Sequence, residues 1–332
     1  MPPDASLASF SEHLMTATIV VYTLAVVGYV AAFAARRPAT ATAVRSPAAR
    51  SKVLVGAGGP PVASVADDGE TESGPGEPTS LLASPAARLL ARGAVLLTLI
   101  GWLLHLGQMS GRGLAAERLP WGTMGEFVTA LVFAAVTGLL VLIRRQQVRY
   151  LGLFVMIPSV LGLGLSTTVL HVPVGPLSPS LHSYWLAIHV TAAVVASAGF
   201  TLSAAANLLY LIRVRHEAGR QNALAIRLPS APALERLARQ MTVFAFPMWT
   251  FAVIAGAIWA DQAWGRYWGW DPKETWAFIT WIVYAAHLHA GSTIGWRGRP
   301  AAAVALAGYG CLLFNLVGVN LWLSGMHSYA GI

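Results

Sequence analysis

Apolar residues fall along this chain in eight runs, at about 14–35, 88–107, 124–143, 150–168, 185–212, 242–260, 274–294 and 301–323. Charged residues lie mainly in the segments between. About 20 apolar residues in helical conformation cross a hydrocarbon core about 30 Å thick. The pattern therefore predicts an all-α, polytopic integral membrane protein with about eight transmembrane helices. The first run is preceded by Glu12 and followed by Arg36-Arg37. A secretory signal carries its positive charge in front, so this run is read as a membrane span. Basic residues in the connecting segments set the orientation. With the N-terminus outside, only Arg112, Arg118, Arg266 and Lys273 of the 22 Lys and Arg fall on the outer side. An even number of spans then puts both termini there.

Composition agrees. The chain is 56% hydrophobic and 11% charged, against about a quarter charged in a soluble domain. Its net charge of +8 is mostly a topology signal. The cations are scattered over several short inner segments, which argues for membrane lipid and against nucleic acid as a partner. Residues 38–87 are rich in Ala, Gly, Pro and Ser, with acids from Asp67 to Glu77. They predict a disordered inner linker between an N-terminal helix (1–37) and a seven-helix domain (88–332). In the basic segment 213–241, Leu234, Leu237 and Met241 recur at helical spacing, which predicts a short helix on the inner membrane surface. A single cysteine, Cys311, excludes an internal disulfide and a CxxC redox pair. Only Lys52 and Lys273 are lysines; the arginine excess reads as GC-rich coding and points to a bacterial cell membrane.

The most unusual segment lies between the sixth and seventh runs: Trp264-Gly265-Arg266-Tyr267-Trp268-Gly269-Trp270-Asp271-Pro272-Lys273-Glu274. Tryptophans beside a membrane usually form an interfacial belt, which accounts for Trp185, Trp259 and Trp322. It does not account for Trp268-Gly269-Trp270 in one short loop. Rings separated by a glycine can be presented together as a face for a flat apolar ligand such as a porphyrin. The acidic half reads differently. Asp271 at the N-cap, Pro272 at the first helical position and Glu274 at the third form a capping box that starts the seventh helix. Direct contact of either carboxylate with a ligand is the other reading. Pro120-Trp121-Gly122-Thr123-Met124-Gly125-Glu126 opens the third helix by a similar device.

Of nine histidines, His13 and His216 flank helices on charged segments, and His171 and His182 lie in an outer loop; all four read as solvated. His105 reads as a helix–helix contact. His189, about one turn into the fifth span, and His327, just after the last, fall at the outer face level with the tryptophans. Two neutral imidazoles facing each other across an aromatic surface can hold a haem iron; alternatively each caps a helix end or bonds a carbonyl. The carboxylates of a haem need cations, and Arg266 and Lys273 lie within the tryptophan segment. His287 and His289 sit deep in the seventh span, toward its inner side. Ionisable groups at such depth are functional candidates, or they bond a neighbouring helix.

Residues 264–276, extending the segment to Thr275-Trp276, resemble the tryptophan-rich WWD signature of membrane haem-handling proteins of cytochrome c maturation. Ser183-Tyr184-Trp185-Leu186-Ala187-Ile188-His189-Val190, Leu288-His289 and His327-Ser328-Tyr329 are similar to three histidine motifs of the CcsA/ResC family of the system II pathway. Pro120 to Glu126 resembles that family's segment at the third span. The resemblance covers about 120–329. It implies haem b bound as substrate at the outer face, with His189 and His327 as axial ligands and Trp264, Trp268, Trp270 and Trp276 as platform. It also implies that His289 ligates haem within the membrane, opposite a histidine from a ResB-like membrane subunit. The implied function is c-type cytochrome biogenesis: haem reaches the outer face and is presented for covalent attachment to the CxxCH of apocytochrome c. The chain would then be a subunit of a holocytochrome c synthase. A haem-delivery protein of the system I type shares the tryptophan signature. A bis-His membrane electron carrier would need a second internal ligand pair.

Overall fold

The computed structural model describes residues 4–35, 84–120, 122–146, 148–175, 181, 183–219, 222 and 224–327. Most of the expected linker, residues 38–83, lies outside them, as do Trp121, His182, Ser328 and Tyr329. The described residues are helical, without strands: α1 (Ala5–Ala34), α2 (Pro85–Ala115), α3 (Met124–Gln146), α4 (Leu151–Thr168), α5 (Tyr184–Glu217), α6 (Ala231–Trp264), α7 (Pro272–Ser292) and α8 (Arg299–Leu313). A π-helical turn, Phe314–Gly318, continues α8 into the short α9 (Val319–Trp322). Among the described residues, seven helices are long and apolar enough to cross a membrane, counting α8 to α9 as one. The remaining one, α7, has 21 residues but carries Lys273, Glu274, His287 and His289. The protein is a multi-pass, all-α membrane protein.

Local sequence explains where the helices start. Asp4 accepts from the N–H groups of Ser6 and Leu7 to cap α1. Ser84 caps α2, with Pro85 at the first position. At α3, Glu126 N donates to Thr123 Oγ1 at 3.2 Å, and Thr123 N donates back to Glu126 Oε2 at 3.3 Å, the reciprocal box expected there. The short surface helix expected around Leu234 to Met241 does not stand apart. Those residues open α6, which runs 34 residues without a break. Its start at Ser230, with Pro232 in the first turn, leaves no further breaker before Pro247. Leu234 and Leu237 are buried in the main core rather than laid on a surface.

Helices pair where small residues allow it. Gly199 of α5 lies against Ala245 of α6, so close that a Cβ there would come within 2.8 Å of the alanine methyl. This is the packing mode of helices in lipid, where backbone proximity replaces hydrophobic drive. Phe200 stacks on Tyr284 at 3.7 Å and joins α5 to α7. Val20, Leu24 and Val27 of α1 and Leu96, Leu99 and Leu103 of α2 are exposed, as lipid-facing residues are.

One carboxylate ties several elements together at the end of the bundle where the tryptophan segment lies. Glu126, 4% exposed, accepts from Arg112 Nε and Arg118 Nη1, each at 2.8 Å, and from Gly122 N at 2.8 Å. Arg112 Nη2 also donates to Val172 O at 2.7 Å, beyond α4. Removing one partner of a buried pair strands the others and costs about 3–5 kcal/mol. Glu126→Ala is therefore expected to lower the thermal midpoint of the detergent-purified protein markedly; an unchanged midpoint would show that this cluster does not hold the bundle end.

Candidate functional site

A cavity with about 1120 Å³ of empty space, part of it open to the surroundings, lies among α3, α5, α6, α7 and the π-helical turn. His189, Phe127, Trp249, Trp259, Trp264 and Trp268 are among its walls. Most of the lining is apolar.

His189 is fixed from α6. Its Nδ1 bonds Ala252 O at 2.8 Å; a carbonyl only accepts, so Nδ1 carries the proton and the lone pair lies on Nε2. The ring stacks on Trp259, 6.2 Å between centroids and 10° between planes. Gly256 makes this approach possible, since a Cβ there would lie 2.6 Å from His189 Nδ1.

His327 reaches the same wall from after α9. Its Nδ1 lies 2.8 Å from Asp271 Oδ2, and its ring meets Trp259 at 5.8 Å and Trp264 at 5.0 Å, both edge to face. The two histidines thus converge on one indole. Each gives Nδ1 to an oxygen, which leaves the lone pair on Nε2. An imidazole oriented by a carboxylate is the usual arrangement behind a metal-bound histidine.

Asp271 does more than start a helix. The expected capping box with Glu274 is present: Asp271 Oδ2 accepts from Lys273 N at 3.1 Å, and Asp271 N donates to Glu274 Oε2 at 3.1 Å. Asp271 Oδ1 also accepts from Met326 N at 2.6 Å, and Oδ2 holds His327. Cap and histidine orientation rest on the same carboxylate.

The tryptophan segment is not a single plane. Trp268 lines the cavity with Trp264 and Tyr267. Trp270 has left-handed backbone, φ 57°; its ring is 66% exposed and stands at 90° to Trp268. Trp276 packs on Phe314 at 4.3 Å and is not among the lining residues. Gly269 leaves room for the Arg266 guanidinium, which would overlap a Cβ there. Arg266 lies 4.0 Å from Glu274 and does not line the cavity; Lys273 does.

His289 is exposed in the last turn of α7, away from the His189–His327 pair. His287 is buried and bonds Ala301 O at 2.8 Å. His105 is fully buried against Tyr22 and Phe133, a helix–helix contact. The interfacial-belt reading fails for Trp259, which is 2% exposed and carries both histidines. Its place in an apolar run hid it; the spacing of three and then four residues from Trp259 to Gly256 and Ala252, on one face of α6, was the available signal. Asn315, another lining residue, gave no signal beyond being an amide in an apolar run.

The fold and cavity define a multi-pass helical membrane protein with a paired-histidine site. The cytochrome C assembly protein family matches residues 121–327. A cytochrome c biogenesis protein CcsA from Synechocystis is 30% identical over 278 residues, covering 67% of this chain and 83% of the relative. The CcsA of Chlamydomonas reinhardtii is 39% identical over 154 residues, 46% of this chain and 43% of that protein. That of Microcystis aeruginosa is 50% identical over 103 residues, 31% of each. The chain therefore belongs to the cytochrome c assembly family, and to the CcsA/ResC family that its motifs resemble. It spans about half the length of several curated relatives, 43% and 58% of two of them. A solved structure, the cytochrome c haem lyase CcmF, shares the fold with a TM-score of 0.59 at 15% identity, over 94% of this chain and 47% of that one.

Burial pushes the Asp271 carboxyl up, and the hydrogen bonds from His327 and Met326 outweigh it, leaving it below the usual carboxylate range. A depressed carboxyl contributes stability that is complete above its unfolded pKa, about 3.9, and lost as pH falls through the folded value. Wild type is therefore expected to be more stable than Asp271→Asn at neutral pH, with the gap closing only below about pH 4. Thermal midpoints across pH 3 to 7 would measure it; a gap independent of pH would show the carboxylate charge to be idle.

Proposed function

We propose that this chain binds haem b as a substrate at the outer membrane face, between His189 and His327, and presents it for attachment to apocytochrome c. One observation carries the reading. Two histidines from distant parts of the chain meet the same buried indole, each with Nδ1 held by an oxygen, on the wall of one apolar cavity. Trp264 and Trp268 offer the faces against which the macrocycle packs. Trp270 and Trp276 support the loop from outside the cavity. Lys273 supplies the positive charge that a haem carboxylate requires, and Arg266, outside the cavity, offsets the Glu274 carboxylate.

In the reaction, cysteine thiols of a CxxCH segment add across the two vinyl groups, and the segment's histidine takes over one axial position. The chain's own work is positioning. It needs no cysteine for this, and Cys311 is not among the lining residues. The exposure of His289 on α7 supports a second haem site completed by a ResB-like subunit, on a route from the inner side. The 1–37 helix, the 38–87 linker and the 88–332 domain fit a bacterial plasma-membrane protein with both termini outside. A bis-His electron carrier has less support, since the described residues bring only one histidine pair together.

Protein purified from cells supplied with haem should show a bis-His haem spectrum. His189→Ala and His327→Ala should each lose most of it, with added imidazole restoring part; full spectra in both variants would overturn the ligand assignment. In complex with a ResB-like subunit, His289→Ala should remove a second haem and leave the first. Loss of both together would sink the two-site reading.

A further inference from the structure

The wall between α7 and α8 holds groups that iron ligation does not use. Lys273 and Asn315 both line the cavity. Lys273 Nζ donates to the backbone oxygen of Asn315 at 3.0 Å. Among the described residues its ammonium is in no ion pair. The neighbouring carboxylates are not in contact with it, although Glu274, whose Oε1 is buried without a hydrogen-bond partner, lines the same cavity. Asp271 holds His327 and Met326 N, and Glu274 Oε2 takes the N–H groups of Gly269 and Asp271. Asn315 is 6% exposed, and its Oδ1 is enclosed without a donor. It sits in the π-helical turn Phe314–Gly318; such turns are rare and concentrate at functional sites.

An ammonium facing an apolar cavity is costly unless paired and hydrogen-bonded. Here one hydrogen bond is supplied, Asp271 acts on the ammonium only from a distance, and no carboxylate touches it, which leaves a contacting counter-charge to the ligand. Asn315, whose backbone oxygen takes that hydrogen bond, lines the same cavity, and a half-turn of its amide exchanges oxygen for NH₂. An ammonium next to an amide donor is the chemistry that receives a carboxylate.

We infer that Lys273 and Asn315 form a carboxylate-receiving corner, which selects a flat apolar ligand bearing an acid at its edge, and that the π-helical turn aims the amide at that acid. The inference rests on the haem reading, with a haem propionate as the acid. It fixes the ligand's orientation in the plane. The propionate edge lies against α7 and α8, and the vinyl groups, on the other half of the ring, point away from this corner.

Iron-free protoporphyrin IX and its dimethyl ester test the corner without iron ligation. Each is titrated into wild type, Lys273→Met and Asn315→Asp by tryptophan fluorescence quenching. Wild type should prefer the diacid by roughly tenfold or more, as one charge-assisted contact predicts, and both variants should lose that preference. The empty Lys273→Met protein should be as heat-stable as wild type or more so, because it has shed an unpaired charge. Equal binding of acid and ester by wild type would overturn the corner even if His189→Ala and His327→Ala abolish haem binding. A lower Lys273→Met midpoint with both probes weakened equally would show a structural lysine and overturn it too. If the preference behaves as expected while the histidine variants keep haem, the corner stands and the axial assignment falls.

Discussion

A single carboxylate, Asp271, sets the geometry on which the cavity depends. It accepts the first N–H of α7, the Met326 N–H and the His327 Nδ1–H. The start of one helix and the segment after another are thereby clamped at one point. Helix capping is worth about 1 kcal/mol, and hydrogen bonds to charged groups about 1.5–3 kcal/mol each. Together they hold the His327 ring against Trp259 and Trp264. The tryptophan loop inherits its exit direction from the same residue, through the bond between Asp271 N and Glu274. An amide in its place could keep the cap but not the full charge that orders the imidazole.

The second constraint is Trp259. A tryptophan buries about 150–250 Å², and here it does so in the middle of the site rather than at a lipid boundary. His189 lies flat on it, and His327 meets it edge on. Both rings are therefore indexed to α6. Gly256, one turn before Trp259, removes the side chain that would push His189 away. The distance between α5 and α6 thus decides where one imidazole sits, and the clamp at Asp271 decides the other.

What was legible in the sequence was local. Eight apolar runs correspond to α1 through the α8–α9 helix, because membrane helices must satisfy their own backbones. The capping boxes at Asp271 and Thr123 were legible because both partners lie within four residues. The link between Asp271 and His327 was not, since 56 residues separate them and the cap alone explained the aspartate. Trp259 was hidden among apolar neighbours, its role conferred by a histidine on another helix. The flat face expected from Trp268-Gly269-Trp270 failed on backbone grounds. The left-handed turn at Trp270 sets its ring perpendicular to Trp268. The segment 231–241 joined α6 because its leucines found a core.

The placement of His327 after α9 gives the site an order in time. His189 and Trp259 emerge from the ribosome well before it, and the intervening residues take on the order of ten seconds to synthesise. Until the last helix is inserted, the cavity lacks the wall that His327, Asn315 and Leu316 provide. A nascent chain therefore presents a half-site open on one side, which closes only when its final membrane helix docks. Any ligand that needs both walls can be held only after that helix has docked.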